Sequence, residues 1–152
     1  AAAPTPVSEP APFFEQAMEM YRARRYAEAR RGFEHAVQSG GAQAAEAALY
    51  AALSTRNISG CAAALDPLAR VRSKFPKAPA AREAQWRTGR CHEQLGNAAA
   101  ARDEYESLLH VASHARRAQQ ALARLSNGPA VGNGDERSSD EGKAGGGALS
   151  AP

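Results

Sequence analysis

The chain has 152 residues and a formal net charge of +3, and only two of its residues are cysteines. This length suggests a single domain, and no stretch approaches the roughly 18 to 20 apolar residues that a membrane-spanning helix requires. Two cysteines are too few for a disulfide framework and lack the spacing of metal ligands, so they leave the redox compartment open.

Both ends of the chain differ from its middle. Residues 1–10 are rich in Ala and Pro, and residues 127–152 are rich in Gly and Ser with almost no large apolar side chain. Because neither end can bury enough apolar surface to offset its ordering entropy, we predict a disordered linker and a disordered tail. The chain starts without Met or a signal-peptide pattern. We therefore expect a mature product or a piece of a longer protein, tethered through the linker to an upstream element such as a membrane anchor.

The middle of the chain, residues 11–126, is predicted to be an all-α domain. It is rich in Ala, Arg, Glu, Gln and Leu, which favour helices. It contains 17 Lys and Arg against 11 Asp and Glu, a net charge of +6, whereas residues 127–152 have 2 against 4 and a net charge of −2. A moderate positive field attracts anionic partners but does not identify nucleic acid.

Turn signals and apolar periodicity divide this domain into six or seven helices. The predicted helices cover approximately residues 11–23, 26–38, 42–55, 61–74, 79–95, 98–111 and 114–125. Gly96 is expected to take the left-handed conformation that ends a helix, and Pro79 suits the first position of one. Pro67 lies inside the fourth helix, where it either kinks the helix or starts a new one with Asp66 as N-cap; we favour the new start.

A pattern within the second helix recurs along the chain. Residues 26–37 align with residues 98–109 at an offset of 72, and a middle copy lies at residues 61–72. Each copy has alanine followed four residues later by a larger side chain: Ala29 and Phe33, Ala64 and Leu68, Ala101 and Tyr105. A period of about 36 residues is typical of stacked helical hairpins. We predict that the alanines let two helices touch and that the larger side chains fill the space where they diverge.

These residues resemble the tetratricopeptide repeat family. The matching positions are Ala17, Tyr26, Ala29, Phe33 and Ala36 in the first unit, Ala52, Ala64, Leu68, Val71 and Pro76 in the second, and Gly89, Gly96, Ala101, Tyr105 and Leu108 in the third. Residues 73–109 are similar to the bacterial envelope branch of the family, which includes the coordinator of the Tol-Pal system. The resemblance implies a right-handed α-solenoid of about three helical hairpins with a C-terminal capping helix.

The resemblance also implies a peptide-binding concave face, lined by the first helix of each hairpin. Carried over by position, the partner-binding residues are Phe14, Met18, Tyr21, Arg22, Leu49, Leu53, Arg56, Trp86, Arg90 and Glu93. Rings, Met and Arg suit a recognition surface. The alternative is that Phe14, Leu49 and Trp86 belong to the cores between helices.

Other constellations indicate no chemistry. His110 and His114 could share a helix face but lack a third metal ligand, so we expect surface histidines, no metal and no cofactor. Arg pairs at 24/25, 30/31 and 116/117 lack the aromatic neighbours typical of nucleic-acid binding, so no nucleic-acid partner is expected. Cys61 and Cys91 are expected to be buried thiols, although the sequence leaves their pairing open. No catalytic motif is present, and we predict that the protein is not an enzyme.

The sequence therefore predicts a non-enzymatic interaction module that binds a peptide or protein segment. The resemblance favours a periplasmic or envelope-associated location, with the cytoplasm as the alternative. Two other functions stay open: a sensing or output domain of a membrane-anchored, anti-sigma-like regulator, and a self-association module that forms homo-oligomers.

Overall fold

A computed structural model describes residues 12–128, which form seven α-helices and no strand. The helices are α1 (Pro12–Arg22), α2 (Tyr26–Ser39), α3 (Ala44–Ser59), α4 (Cys61–Lys74), α5 (Pro79–Gln94), α6 (Ala98–Leu108) and α7 (Ala115–Asn127). The predicted all-α class is confirmed for this range. The linker predicted over 1–10 lies outside the described residues, and so does the tail predicted over 127–152, apart from Asn127, which ends α7, and Gly128. None of the seven helices is long and apolar enough to span a bilayer.

Glycines with positive φ lie at three of the six helix junctions among the described residues: α2 to α3, α3 to α4 and α5 to α6. Gly96 has φ 81°, as predicted for a helix end, and the side chain of Asn97 then caps α6 by accepting from the backbone N–H of Ala100 at 3.2 Å. The predicted end of α3 at residue 55 is wrong. The helix continues to Ser59, and Gly60 alone, with φ 92°, separates it from α4. One glycine suffices because it adopts a backbone conformation that other residues resist.

Pro67 does not divide α4, and the favoured new start at Asp66 is wrong. The helix runs unbroken from Cys61 to Lys74 with the proline inside it. A proline there removes one backbone hydrogen bond, to the carbonyl of Ala63. Ala63 is exposed, so water can satisfy that carbonyl, while Leu68 is fully buried just after the proline. Packing on both sides of Pro67 therefore keeps the helix continuous.

Small residues lie where paired helices cross, as the repeat predicts. Ala29, Ala64 and Ala101 are fully buried. Gly89 of α5 faces Tyr105 of α6, and a Cβ added to Gly89 would lie 2.5 Å from Cε1 of Tyr105. The ring of Tyr105 therefore occupies the space that any side chain at position 89 would need.

Three hydrophobic clusters follow one another along the chain. Phe14 and Phe33 centre the first, between α1, α2 and α3. Leu53 and Leu68 belong to the second, which α3, α4 and α5 share. Tyr105 belongs to the third, between α6 and α7. Each helix packs against the next, and α3 also contacts α5 directly.

A disulfide joins α4 to α5. It links Cys61, the first residue of α4, to Cys91 near the end of α5, with Cα atoms 5.1 Å apart. The sequence left this pairing open and favoured buried thiols. The bond closes a loop of 30 residues, which in the chain-entropy account stabilises the fold by about 3.5 kcal/mol.

Candidate functional site

The odd-numbered helices contact one another through polar and aromatic side chains. The rings of Tyr21 on α1 and Tyr50 on α3 have centroids 5.2 Å apart, and the side-chain amide of Asn57 donates to the Tyr21 hydroxyl at 3.5 Å. Arg87 on α5 is close enough to Tyr21 to influence its pKa, and Arg90 follows one turn later on α5. These five residues, from three helices, define what we call the odd-helix face.

Tyr21 is the centre of an aromatic cluster at the N-terminal end of this face. Its ring lies 5.3 Å from that of Tyr26 and 6.2 Å from that of Phe33, both edge-on. Burial, together with the nearby phenol of Tyr26, raises the pKa of Tyr21, although Arg87 acts in the opposite direction. The phenol stays neutral at physiological pH and keeps its hydroxyl for hydrogen bonding.

The carboxylate of Glu83 on α5 contacts three nitrogen-bearing side chains, one on its own helix and two at the start of α7. Its carboxylate accepts from Arg87 at 2.8 Å and from Arg117 at 2.9 Å, and it lies 3.0 Å from Nε2 of His114. Burial alone would raise the pKa of Glu83, but hydrogen bonds from Arg117, Arg87 and His114 outweigh it and hold that pKa at about 2. The carboxylate is therefore ionised at physiological pH and ties α7 to α5.

Glu93, near the other end of α5, also ties α7 to α5. Arg124 of α7 forms two hydrogen bonds to its carboxylate, both 2.8 Å long, and the Tyr105 hydroxyl donates to it at 2.8 Å. The hydrogen bonds from Arg124 lower the pKa of Glu93. Together with Arg90 and Gln94, these α5 and α7 side chains line a shallow depression of about 370 Å³.

The ten predicted binding residues divide into three groups. Phe14, Leu49 and Leu53 are at most 6% exposed and belong to the core. Trp86 is half-buried against Tyr105 and covered by the Arg117 guanidinium, 4.8 Å from its ring, while Glu93 is engaged by Arg124. The remaining five are at least partly exposed: Met18, Tyr21, Arg22, Arg56 and Arg90. Whether these residues bind a partner stays a prediction.

The expectation of surface histidines is confirmed for His110, which is exposed, and is wrong for His114. α6 ends at Leu108, so His110 lies in the following turn. His114 is the N-cap of α7 and is only 6% exposed, with Nδ1 within 2.8 Å of the Ser113 hydroxyl. Among residues 12–128, no group of three His, Cys, Asp or Glu side chains is placed to hold a metal ion.

The link between α5 and α7 was missed by sequence reasoning. Glu83 and Arg117 are 34 residues apart, and their hydrogen bond depends on the repeat offset rather than on local spacing. A signal was present, since a glutamate near the start of one repeated helix and an arginine near the start of the next occupy similar positions.

No protein-family model matches this chain. A search of curated proteins also finds no match.

Proposed function

We propose that the chain is a right-handed stack of three tetratricopeptide-like hairpins, α1–α2, α3–α4 and α5–α6, with α7 as a cap. On this proposal it is a non-enzymatic module that binds an extended peptide or protein segment on the odd-helix face. The stack is supported by contacts between alternate helices. Tyr21 meets Tyr50, Arg117 and Arg124 meet carboxylates of α5, and Arg72 of α4 bonds Glu104 of α6 at 3.0 Å.

The observation that carries the binding proposal is the composition of the odd-helix face. Tyr21 and Tyr50 are half-buried and held edge-on, so they offer rigid apolar surface with little entropy left to lose on binding. On the same face, both N–H groups of the Asn57 amide are used within the chain, which leaves its carbonyl oxygen to accept from a backbone N–H of a partner. Arg90 contacts Glu93 through one guanidinium nitrogen at 3.7 Å and has further N–H donors for carbonyls or carboxylates. Rings beside forked cations are the residue types that dominate binding hot spots.

The disulfide favours a location outside the reducing cytosol. Disulfides persist in oxidising compartments such as the bacterial periplasm and are rare in cytosolic proteins. Cys61 and Cys91 are both buried, and their bond joins two helices of the fold. We therefore propose that the protein is located in an oxidising compartment. The family resemblance suggests that this compartment is the periplasm.

Site-specific photocrosslinking at partly exposed positions tests the binding proposal. Benzoylphenylalanine would replace Met18, Arg56 or Arg90 on the odd-numbered helices, and Arg31 or Glu106, which are exposed on even-numbered helices, as matched controls. After irradiation in an extract of the source organism, we expect one crosslinked partner from the first three positions and none from the controls. Equal crosslinking from all five positions would reject the odd-helix face as the binding surface.

Self-association is a second candidate, favoured by two exposed apolar side chains. Ile58 and Leu95 are 44% and 48% exposed, and each lies just before a turn glycine at the end of α3 or α5. Light scattering at two protein concentrations distinguishes the candidates. A mass that doubles, and returns to the monomer in an Ile58→Ser, Leu95→Ser variant, supports self-association; a constant monomer mass rejects it.

A further inference from the structure

A second groove lies between α2 and α4, with α3 as its floor. It has a volume of about 310 Å³. Ala48, Ala51 and Thr55 of α3 form the floor, and Val37 of α2 and Phe75 at the end of α4 form part of the walls. The floor residues are small, so a large apolar side chain from outside could enter without displacing this chain's own side chains. Half of the wall residues are apolar: Val37, Pro67, Val71 and Phe75.

This groove is separate from the odd-helix face. In an α-helix, residues two apart are rotated by about 200° and point in nearly opposite directions. The floor residues Ala48 and Thr55 therefore point away from Tyr50 and Asn57, which contact Tyr21 on the odd-helix face. α3 separates the two surfaces, and a partner could occupy one without covering the other.

The charge at the rim of the groove is predominantly positive. Arg70 and Lys74 of α4 line it, are exposed and form no salt bridge with any residue in the range 12–128. The Lys74 ammonium lies 5.7 Å from the centre of the Phe75 ring. On the α2 side, Glu34 is already within 4.0 Å of Arg30. The rim is therefore complementary to an anionic group placed next to the apolar floor.

The size of the groove limits its occupant. Pockets that enclose whole small-molecule ligands begin at about 300 Å³ and usually bury most of the ligand. At about 310 Å³ and open to solvent, this groove suits one anchoring side chain of a longer chain. Anchors of this kind, inserted in a pocket and flanked by charges, contribute most of the affinity of many protein interfaces.

We propose that this groove is a second docking site, which binds an acidic segment of a partner protein. The segment inserts one aromatic or large aliphatic side chain over Ala48 and Ala51 and places a neighbouring carboxylate against Arg70 and Lys74. This site does not depend on the binding proposed for the odd-helix face, because it uses different residues on the other side of α3.

A titration followed by NMR tests the proposal. The full-length, ¹⁵N-labelled chain is titrated with the synthetic peptide acetyl-Gly-Glu-Glu-Phe-Glu-Glu-Gly-amide, and with versions that carry Ala for Phe or Lys for every Glu. We expect amide shifts on α2 and α4 and, for both altered peptides, binding at least about tenfold weaker, because each lacks one half of the recognition. Shifts on α1 and α5 instead, or equal binding of the Ala peptide, would overturn the proposal.

Matched charge reversals separate a specific site from general attraction. The double variant Arg70→Glu, Lys74→Glu should weaken binding of the Phe peptide at least about tenfold, whereas Arg82→Glu, Arg116→Glu, with the same charge change at exposed positions elsewhere, should change it less than about twofold. An equal loss of affinity in both double variants would mean that the peptide is attracted only by the overall positive charge, and it would overturn the proposal. Amide spectra and thermal melting confirm that each variant is folded.

Two other occupants are outcomes of the same titration. Neutralising the acidic tail in the full chain, with Asp135→Asn, Glu136→Gln, Asp140→Asn and Glu141→Gln, should leave the affinity unchanged. A gain of about tenfold or more would make the chain's own tail the occupant and overturn the proposal of a foreign segment. Decanoate that shifts the same amides with higher affinity than the Phe peptide would assign the groove to amphipathic carboxylates instead.

Discussion

The two halves of the fold are stabilised by different chemistry. Around α1, α2 and α3 the contacts are aromatic: Phe14, Tyr21 and Tyr50 all have ring centroids within 6.2 Å of that of Phe33. Among the described residues, no salt bridge joins these three helices to one another. Between α5 and α7, by contrast, Glu83 pairs with Arg117 and Glu93 pairs with Arg124. A disulfide also joins α5 to α4.

This difference decides which conditions each half responds to. Apolar contacts do not depend on protonation or on a redox partner, whereas ion pairs depend on pH and a disulfide depends on the thiol balance. The contacts among α1, α2 and α3 should therefore be insensitive to pH and to reducing agents. The contacts of α5 with α7 should depend on pH, and the bond of α5 to α4 on reducing agents. The predictions below test that contrast, beginning with the largest expected effect.

Removing the central ring of the N-terminal half should cost the most. Phe33 is fully buried, so Phe33→Ala should lower the free energy of unfolding by about 3 to 5 kcal/mol, measured by urea denaturation. Hydrogen exchange should accelerate more in α1–α3 than in α5–α7. Phe33→Leu, which keeps most of the volume, is the control and should cost less than about 2 kcal/mol. Equal acceleration in both halves would contradict a division between them.

Reducing the disulfide should destabilise the chain by about 3.5 kcal/mol, because a loop of 30 residues is no longer closed in the unfolded state. The measurement is urea denaturation with and without dithiothreitol. A Cys61→Ala, Cys91→Ala variant should not respond to dithiothreitol at all. If both thiols of the unreduced chain react with iodoacetamide after unfolding, the bond does not form. The C-terminal half would then not differ from the N-terminal half in its response to reducing agents.

Acid should loosen the C-terminal half first. The folded pKa of Glu83 is about 2, below its ordinary value of 4.5, so its contribution is complete above pH 4.5 and is lost as the pH falls toward 2. The full shift corresponds to about 3 to 4 kcal/mol, and solvent screening of the partly exposed carboxylate reduces this contribution to roughly 2 to 3 kcal/mol. Glu83→Gln should remove this part of the pH dependence, measured by urea denaturation from pH 6 to pH 2.5. Glu46→Gln, at an exposed position on α3, is the control; a parental pH profile in Glu83→Gln would refute the assignment.

The smallest effect concerns the close approach of helices in each half. Gly89→Ala should cost about 1 to 2 kcal/mol, because the added methyl would lie 2.5 Å from the buried ring of Tyr105 and this outweighs the gain in helix propensity. Gly32→Ala is the matched change in α2, where the nearest atom is the Cβ of Ala17 at 2.9 Å, and it should cost less. Adding Tyr105→Leu should recover part of the loss at position 89 in a double-mutant cycle. Thermal melting checks all three variants, and additive effects would show that the ring is not what excludes a side chain there.

Much of the helical architecture could be predicted from local patterns. Six of the seven helices begin within one residue of their predicted start, since glycine and proline limit where a helix can begin or end. The burial of Ala29, Phe33 and Tyr105 followed from the repeat. The end of α3 could not be placed, because Asn57 bonds back to the Leu53 carbonyl at 2.8 Å and extends the helix through what reads as a turn.

The candidate binding residues were harder to predict, because position within a repeat does not determine exposure. Leu53 was assigned to a binding surface but is buried between α3 and its neighbours. Trp86 was assigned in the same way, and the Arg117 guanidinium covers its ring. Both outcomes depend on how far the next helix is rotated, which one repeat's own sequence does not specify.

Gly89 and Tyr105 have a consequence for how this sequence can vary over evolutionary time. The ring fills the volume beside the glycine so completely that neither position can change alone without loss. Among descendants of a common ancestor, a larger residue at position 89 should therefore accompany a smaller one at position 105. Such paired substitutions would record the contact between α5 and α6 in sequences alone.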